Sequence, residues 1–345
     1  MQFRDSDGET TIVYPTIAGS GANATTHVAL CMGGPSAENA VSRVSAKRFL
    51  DALQELGYTI TAVDIGRDFG AILPTLGVDL VVNATHGPYG EDGCLPGLLE
   101  LAAIPYTHSG VLASAICMDK IISRSFFTAH HLPMAEAVII TRDQQITQDP
   151  LPRPFVIKPP HLGSSVGVQV IFPEDDCNFA TYEWAFGDTM IVEKYIPGRE
   201  VQVGILDGEA LAVGEITTIH KFHDYASKYE DGIATHIVPA PLPPAIYQQL
   251  METALKAHTL LGCRSVSRVD FRYDDTVPGK ERFYILEVNT HPGCTPLSLY
   301  PEIAEAAGID WTTLVDRIVK SAGCDSLPKN HPLLQKKREA QAVAC

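Results

Sequence analysis

The chain has 345 residues, enough for two or three modules with hydrophobic cores of their own, and at 45% hydrophobic residues it is too apolar to be disordered. Its formal net charge of −15 excludes the basic stripe that a nucleic-acid backbone demands, although a local cationic pocket remains compatible with it. The eight cysteines form no CxxC pair, the N-terminus is acidic where a signal peptide is basic, and no apolar run nears the ~20 residues of a membrane span. These features predict a cytoplasmic protein with reduced thiols and neither a nucleic-acid nor a membrane partner.

Residues 1–26 are polar and read as a loose extension. Within them, Gly19-Ser-Gly21-Ala-Asn-Ala24 has dinucleotide-fingerprint spacing, but a strand-like run follows it where the fingerprint requires a helix. Next, VALCM predicts a buried strand and Gly33-Gly34-Pro35 a turn. A helix then runs from a Ser36 cap to Gly57. YTITAVDI and VDLVVNA predict two more strands, and GLLELAA a helix. The alternation is that of an α/β open parallel sheet, whose ligands gather at the carboxyl ends of the strands. Asn23-Ala-Thr25 and Asn83-Ala-Thr85 match the glycosylation triplet and are read as chance.

The pattern changes after about residue 120. A helix over 118–130 leads to short valine- and isoleucine-rich segments separated by glycine and proline: PFVIKPP, VGVQVIF, MIVEKYI and REVQVGILDG. That punctuation predicts an antiparallel sheet. A helix over 245–261, a hairpin of VSRVDFRY with RFYILEVN, and a helix over 311–321 complete the prediction. The tail from Pro328 reads as a solvated helix or frayed end, and there is no internal repeat.

Three places carry chemistry. Residues two apart on a strand share a face, so folding the hairpin about 276–279 sets Asp270 opposite Glu287 and Arg268 opposite Asn289. Two carboxylates and an amide would suit Mg²⁺, while a solvated face of cross-strand ion pairs is the plainer alternative. Lys158 closes PFVIK just before Gly163-Ser-Ser-Val-Gly167, whose backbone N–H groups could cradle a phosphate, or which could simply be a flexible turn. In VEKYIPGRE, residues 192–200, the carboxylates of Glu193 and Glu200 could meet an adenine amine and ribose hydroxyls, or sit on a solvated hairpin tip.

Taken in order, these segments resemble the D-alanine–D-alanine ligases of the ATP-grasp superfamily. The matching stretches are GGPSAENAVS at 33–42, HGPYGEDG at 86–93, SGVLASAICMDK at 109–120 and VIKPPHLGSSVG at 156–167. VEKYIPGRE at 192–200, DYASKY at 224–229, RVDF at 268–271 and EVNTHPGCTPLSLYP at 287–301 follow. Any one is a weak signal, but the ordered set is specific.

The resemblance implies roles. Lys120, Lys158 and Lys228 would hold ATP phosphates, and Glu193, Lys194, Tyr195, Ile196 and Glu200 the nucleoside. Asp270, Glu287 and Asn289 would bind two Mg²⁺, with Mn²⁺ a possible substitute. Glu38 would hold the ammonium of the first D-alanine and connect through Ser164 to Tyr229, with His86 beside that substrate. Arg268 and the N–H of Gly293 would form an oxyanion hole, and Ser298 with Leu299 would receive the second D-alanine's carboxylate. Two departures stand out. The lid motif reads His223-Asp-Tyr-Ala-Ser-Lys228-Tyr229, and His291 replaces a residue that is usually small or apolar.

The resemblance also implies an ATP-grasp fold with a Rossmann-like N-terminal domain. The expected division is a flexible extension over 1–26, a substrate-binding domain over 27–120, a central lobe over 121–213 and a C-terminal lobe over 214–345. The expected activity is ATP-dependent joining of two D-alanines through a D-alanyl phosphate, for peptidoglycan, in a homodimer. The alternatives are a ligase making D-Ala-D-Ser or a depsipeptide, and an inactive nucleotide-binding homologue. Retention of Arg268, Asp270, Glu287 and Asn289 together argues against the last.

Overall fold

The computed structural model describes Phe3, residues 8–218 and residues 234–327, and within them three sheets follow one another along the chain. The first contains β1 (Ile12–Val13), β2 (His27–Gly33), β3 (Thr59–Ile65) and β4 (Leu80–Asn83) in the order β1-β3-β2-β4. β2 pairs parallel with both β3 and β4, as the alternating pattern predicts. Successive β2 side chains point to opposite faces, and both faces are covered. Val28, Leu30 and Met32 pack with Ala46, Phe49, Leu50 and Leu53 of α1 (Asn39–Glu55). Ala29 and Cys31 pack with Phe69 of α2 (Phe69–Ile72) and with Leu95 and Leu99 of α3 (Cys94–Leu101). A strand covered on both sides needs an unbroken apolar run, which is what VALCM supplies.

Two expectations for this region need correction. Residues 8–26 are not a loose extension: β1 pairs antiparallel with β3, and Ile17 bridges to Ile60. A two-residue strand paired some fifty positions away leaves no local periodicity to read. Ser36 does not cap α1 either. Its hydroxyl accepts the backbone N–H of Glu38 at 3.1 Å, and the helix begins only at Asn39. The delay leaves Glu38 at the helix mouth instead of within its first turn.

α4 (Val111–Met118) and α5 (Lys120–Ala129) lead into the second sheet. Asp119 caps α5 by accepting the N–H groups of Ile121 and Ile122 at 2.9 and 3.0 Å. The sheet contains β5 (Ala137–Thr141), β6 (Phe155–Lys158), β7 (Gln169–Ile171) and β8 (Thr189–Lys194), antiparallel in the order β5-β8-β6-β7.

The third sheet has the order β11-β10-β9-β12-β13 and is also antiparallel. Its strands are β9 (Arg199–Leu206), β10 (Glu209–Thr218), β11 (Ala234–Ile237), β12 (Val266–Asp274) and β13 (Arg282–Asn289). β9 and the first half of β10, assigned from sequence to the central lobe ending at 213, therefore belong with the C-terminal sheet. α6 (Pro244–Leu260) packs on it through Leu250, Ala254 and Ala257. On the other side, Tyr300 of α7 (Leu299–Ala306) and Leu314, Val315 and Ile318 of α8 (Trp311–Lys320) join the apolar cluster beneath α1. The Arg48 guanidinium lies 4.2 Å from the centre of the Trp311 ring, which fastens α1 to α8.

The turn that aims α1 depends on glycine. Gly33 has φ +70°, and a Cβ there would lie 1.9 Å from Oδ1 of Asp64, a fully buried carboxylate bonded to Arg43 at 2.9 Å. Gly34 has φ +92°, but its added Cβ would meet nothing nearer than Ile65 at 3.7 Å. Gly34→Ala should therefore cost only the backbone term, roughly 1 kcal/mol, and Gly33→Ala about 3 kcal/mol or more. Urea unfolding of both variants checks this; equal losses would show that the Asp64 contact does not constrain the turn.

Candidate active site

The carboxyl ends of the N-terminal strands, the loop after β6 and the β12–β13 hairpin converge on one cavity of about 420 Å³. Glu38, His86, Lys120, Ser164, Arg268, Glu287, Asn289, Gly293, Ser298 and Leu299 all line it. The sequence had placed each of these in the site, and they come from segments up to 261 residues apart.

The hairpin carries the densest charge. Its register pairs Arg268 with Asn289 and Asp270 with Glu287, as period-two folding predicts, and a bulge between Asp270 and Phe271 follows at once. Arg268 donates from Nε and Nη2 to the two oxygens of Asp270 at 2.7 and 2.8 Å, both side chains being nearly buried. Burial opposes the guanidinium charge, but the Asp270 and Glu287 carboxylates outweigh it and raise the Arg268 pKa further. Lys120, at the first turn of α5, pairs with Glu287 at 2.9 Å and donates to the carbonyl of Leu162 at 2.9 Å. It thereby ties α5 to the loop that carries Ser164.

That loop crosses to the N-terminal sheet. Ser164, with φ +51°, donates its hydroxyl proton to Oε1 of Glu38 at 2.6 Å. Gly87 is pressed against the same carboxylate: a Cβ there would lie 3.0 Å from Glu38 Oε2 and 2.6 Å from Ser36 Oγ. The Glu38 carboxylate is thus held by a hydroxyl and a close backbone.

His86 is fully engaged, with Nδ1 2.9 Å from Glu91 and Nε2 3.0 Å from the Ser45 hydroxyl. Burial raises the Glu91 pKa, while the bond to His86 works to lower it. Beyond His86 lie two further imidazoles, His108 and His291. Burial and the neighbouring His86 and Arg264 bring His108 down to about 3, and burial and the two other histidines hold His291 well below its ordinary value. Both rings are neutral at physiological pH.

Of the proposed nucleotide residues, Lys158, Glu193 and Lys194 lie on the second sheet, Tyr195 and Ile196 follow β8, and Glu200 is on β9 of the third sheet; none of these six is among the residues that line the cavity. Lys158 and Arg124 both pair with Glu193, each at 3.1 Å, so that carboxylate lies between two cations. Lys194 is exposed, Tyr195 and Glu200 are half-buried, and Ile196 is buried. Lys228 and Tyr229 lie outside the described residues. At the far end, Ser298 precedes α7 and accepts the N–H of Thr295 at 2.9 Å. The backbone N–H groups of Leu299 and Tyr300 in its first turn suit a carboxylate.

Sequence reading missed several residues of the wall. Gln202, buried on β9 opposite Asp270, lines the cavity, as do Glu91 and the pair His236–Glu302 at 3.1 Å. The one local signal among them is Gln202, a glutamine inside an apolar strand. Among the described residues no three His, Cys, Asp or Glu side chains converge on one metal position. Asp270, Glu287 and Asn289 supply two carboxylates and one amide oxygen, a hard donor set that fits Mg²⁺ better than zinc or copper.

Comparison with known proteins agrees with this geometry. The family model described as D-ala D-ala ligase C-terminus matches residues 126–320. A D-alanine–D-alanine ligase of Rickettsia bellii (strain RML369-C) is 50% identical over 301 residues, covering 87% of this chain and 93% of that one. That of Rickettsia canadensis (strain McKiel) is 48% identical over 301 residues, with 87% and 84% covered. The crystal structure of a D-alanine–D-alanine ligase from Bacillus anthracis complexed with ATP superposes with a TM-score of 0.74 at 28% identity, covering 91% of this chain and 99% of that chain. With its hairpin charges, its Glu38–Ser164 contact and half-identity across most of its length, the chain belongs to the D-alanine–D-alanine ligase family.

Proposed function

We propose that the protein joins two D-alanine molecules into D-alanyl-D-alanine at the expense of ATP, for peptidoglycan, in a bacterial cytoplasm and as a homodimer. The observation that carries this reading is the 2.6 Å Ser164–Glu38 contact. It brings a carboxylate for an amino group into the same cavity as Arg268 and Gly293. The division of labour follows three modules, over 27–120, 121–213 and 214–345, with β9 and β10 working as part of the third. No helix among the described residues is long and apolar enough to cross a membrane.

Glu38 takes the ammonium of the first D-alanine, leaving its carboxylate directed toward the hairpin. That carboxylate attacks the γ-phosphorus of ATP, and ADP leaves. Two anions approach each other in this step, so counter-charge decides its rate. Lys120 and Lys158 supply it, with Lys228 completing the set, while Glu193 to Ile196 and Glu200 hold the nucleoside. Asp270, Glu287 and Asn289 would hold Mg²⁺, two ions in the full site and Mn²⁺ as a substitute, which adds positive charge at the phosphates. The amine of the second D-alanine, its carboxylate held at Ser298 and Leu299, then attacks the acyl carbon. Arg268 and the Gly293 N–H stabilise the oxyanion, phosphate leaves, and the amine's proton passes to solvent water.

The direct test is D-alanine-dependent release of ADP with equimolar dipeptide, and none with L-alanine; ADP release indifferent to D-alanine contradicts the reading. Three variants probe its parts. Glu38→Ala removes one charge-assisted bond, so affinity for the first D-alanine should fall about ten- to a hundredfold in steady-state kinetics while ATP affinity by calorimetry holds. Lys158→Ala should do the reverse, and equal effects of the two on ATP would show that Glu38 serves the fold instead. Glu287→Ala should lower turnover at saturating Mg²⁺ by about a hundredfold or more with its unfolding midpoint kept. Undiminished turnover removes Glu287 from the metal site.

A further inference from the structure

His291 is 3% exposed, lines the cavity and carries a ring nitrogen, Nε2, with no partner among the described residues. It follows β13 in the loop Asn289-Thr-His-Pro-Gly293, yet the ring partners Asn83, His86 and His108 all belong to the N-terminal sheet region. The ring stacks on His108, with centroids 3.7 Å apart and planes 13° apart, and meets His86 edge-to-face at 5.4 Å. Its Nδ1 lies 3.4 Å from Nδ2 of Asn83, at the end of β4 and 208 residues away in sequence.

The bonding around Asn83 fixes which way each group faces. Asn83 Oδ1 accepts from the Thr85 N–H at 3.0 Å and from the Thr85 hydroxyl at 2.6 Å, so the other end of the carboxamide is the nitrogen. That Nδ2 donates one hydrogen to the Gly90 carbonyl at 3.0 Å and points the second at His291. An amide nitrogen only donates, so Nδ1 accepts, and the single hydrogen of the neutral ring sits on Nε2. Packing alone does not account for this arrangement. An apolar ring would fill the same volume without burying an unmatched N–H, but it would strand the Asn83 hydrogen. On the other side, the backbone N–H of His291 donates to Oδ1 of Asn289 at 2.7 Å. One residue thus connects the end of β4, the His86 ring and the loop carrying Asn289 and Gly293.

We propose that His291 is a positioning residue for ligation, setting the register between the pocket for the first amino acid, at Glu38 and His86, and the loop that carries Asn289 and Gly293. This rests on the function proposed above. The first amino acid is held by the N-terminal module but reacts against the hairpin, and a displacement of about 1 Å between the two is enough to lose a hundredfold in rate. At 3.4 Å the bond to Asn83 is weak, so the stack on His108 carries much of the register. When the register slips, the acyl phosphate still forms but waits longer for the amine. Water then attacks the acyl carbon, returning D-alanine and phosphate, and ADP accumulates without dipeptide.

Three variants separate this from a structural role. His291→Phe keeps a ring for the stack and removes the acceptor. His291→Asn offers an amide oxygen near the Nδ1 position and removes the stack, and His291→Ala removes both. Wild type should release one ADP per dipeptide. His291→Ala should form dipeptide about tenfold or more slowly with at least about twofold excess ADP. The other two should fall between, and calorimetric ATP affinity should stay within about twofold in all three. If His291→Ala does not fold, His291→Phe and His291→Asn alone decide. Tight one-to-one coupling in the folded variants overturns the proposal, as does a loss of dipeptide rate that only tracks the loss of ATP binding or of thermal stability. Wild type making no dipeptide from D-alanine overturns the functional reading and this inference with it. Coupled variants beside an active wild type overturn the inference alone.

Discussion

A carboxylate taken out of water must be met by a cation or by hydrogen-bond donors, and the Arg268–Asp270 pair meets that requirement within the candidate site. Both groups project from one face of β12, two residues apart, and bond through two parallel contacts of 2.7 and 2.8 Å. The geometry is bidentate and the guanidinium stays charged, so desolvation is offset locally. Everything nearby is arranged around that pair. β13 brings Glu287 and Asn289 opposite it, Lys120 reaches across from α5 to pair with Glu287, and Gln202 of β9 lies on its other flank. A sheet face carrying this much charge stays folded because each acid has a base within reach. The same pairing leaves cations and hard oxygen donors already in place where phosphate oxygens would add negative charge.

The hairpin was the part of the site most legible in the sequence. A strand has a period of two, so RVD and EVN could be folded against each other on paper with the correct partners. The bulge after Asp270 could not be foreseen, because nothing local distinguishes Phe271 from a regularly paired residue. The parallel N-terminal sheet was legible for a similar reason: its apolar run and its glycine turn are both local signals. The pairing of β1 with β3 was not, nor was the membership of β9 and β10 in the third sheet, since strand partners are chosen by packing across long separations.

The Glu38–Ser164 contact lies between these extremes. The residues of GGPSAE and GSSVG predict a helix mouth and a tight loop, but nothing in spacing brings positions 126 apart together. Only resemblance to a family suggested it, and the geometry supplies the physical reason. Lys120 anchors the serine loop through the Leu162 carbonyl, and the late start of α1 leaves Glu38 free to meet it. The histidine cluster was less visible still. His86, His108 and His291 belong to three separate loops; the resemblance sets His86 beside the first substrate and marks His291 as a departure from the usual residue, but nothing local points to His108 or to contact among the three rings. Its environment comes from the N-terminal sheet region and its chain position from the C-terminal one, so the module boundary that organises the sequence hides the contact.

On the proposed function, an amino acid bound through Glu38 presents its carboxylate to the β12–β13 hairpin, and an acyl phosphate follows. Positional isotope exchange tests that directly. With ATP carrying ¹⁸O in the β,γ-bridge, D-alanine and Mg²⁺, reversible phosphoryl transfer should move label between bridge and non-bridge β-phosphate positions, and should not do so with L-alanine or without an amino acid. Scrambling that is absent while dipeptide accumulates, or that proceeds equally without D-alanine, would contradict it.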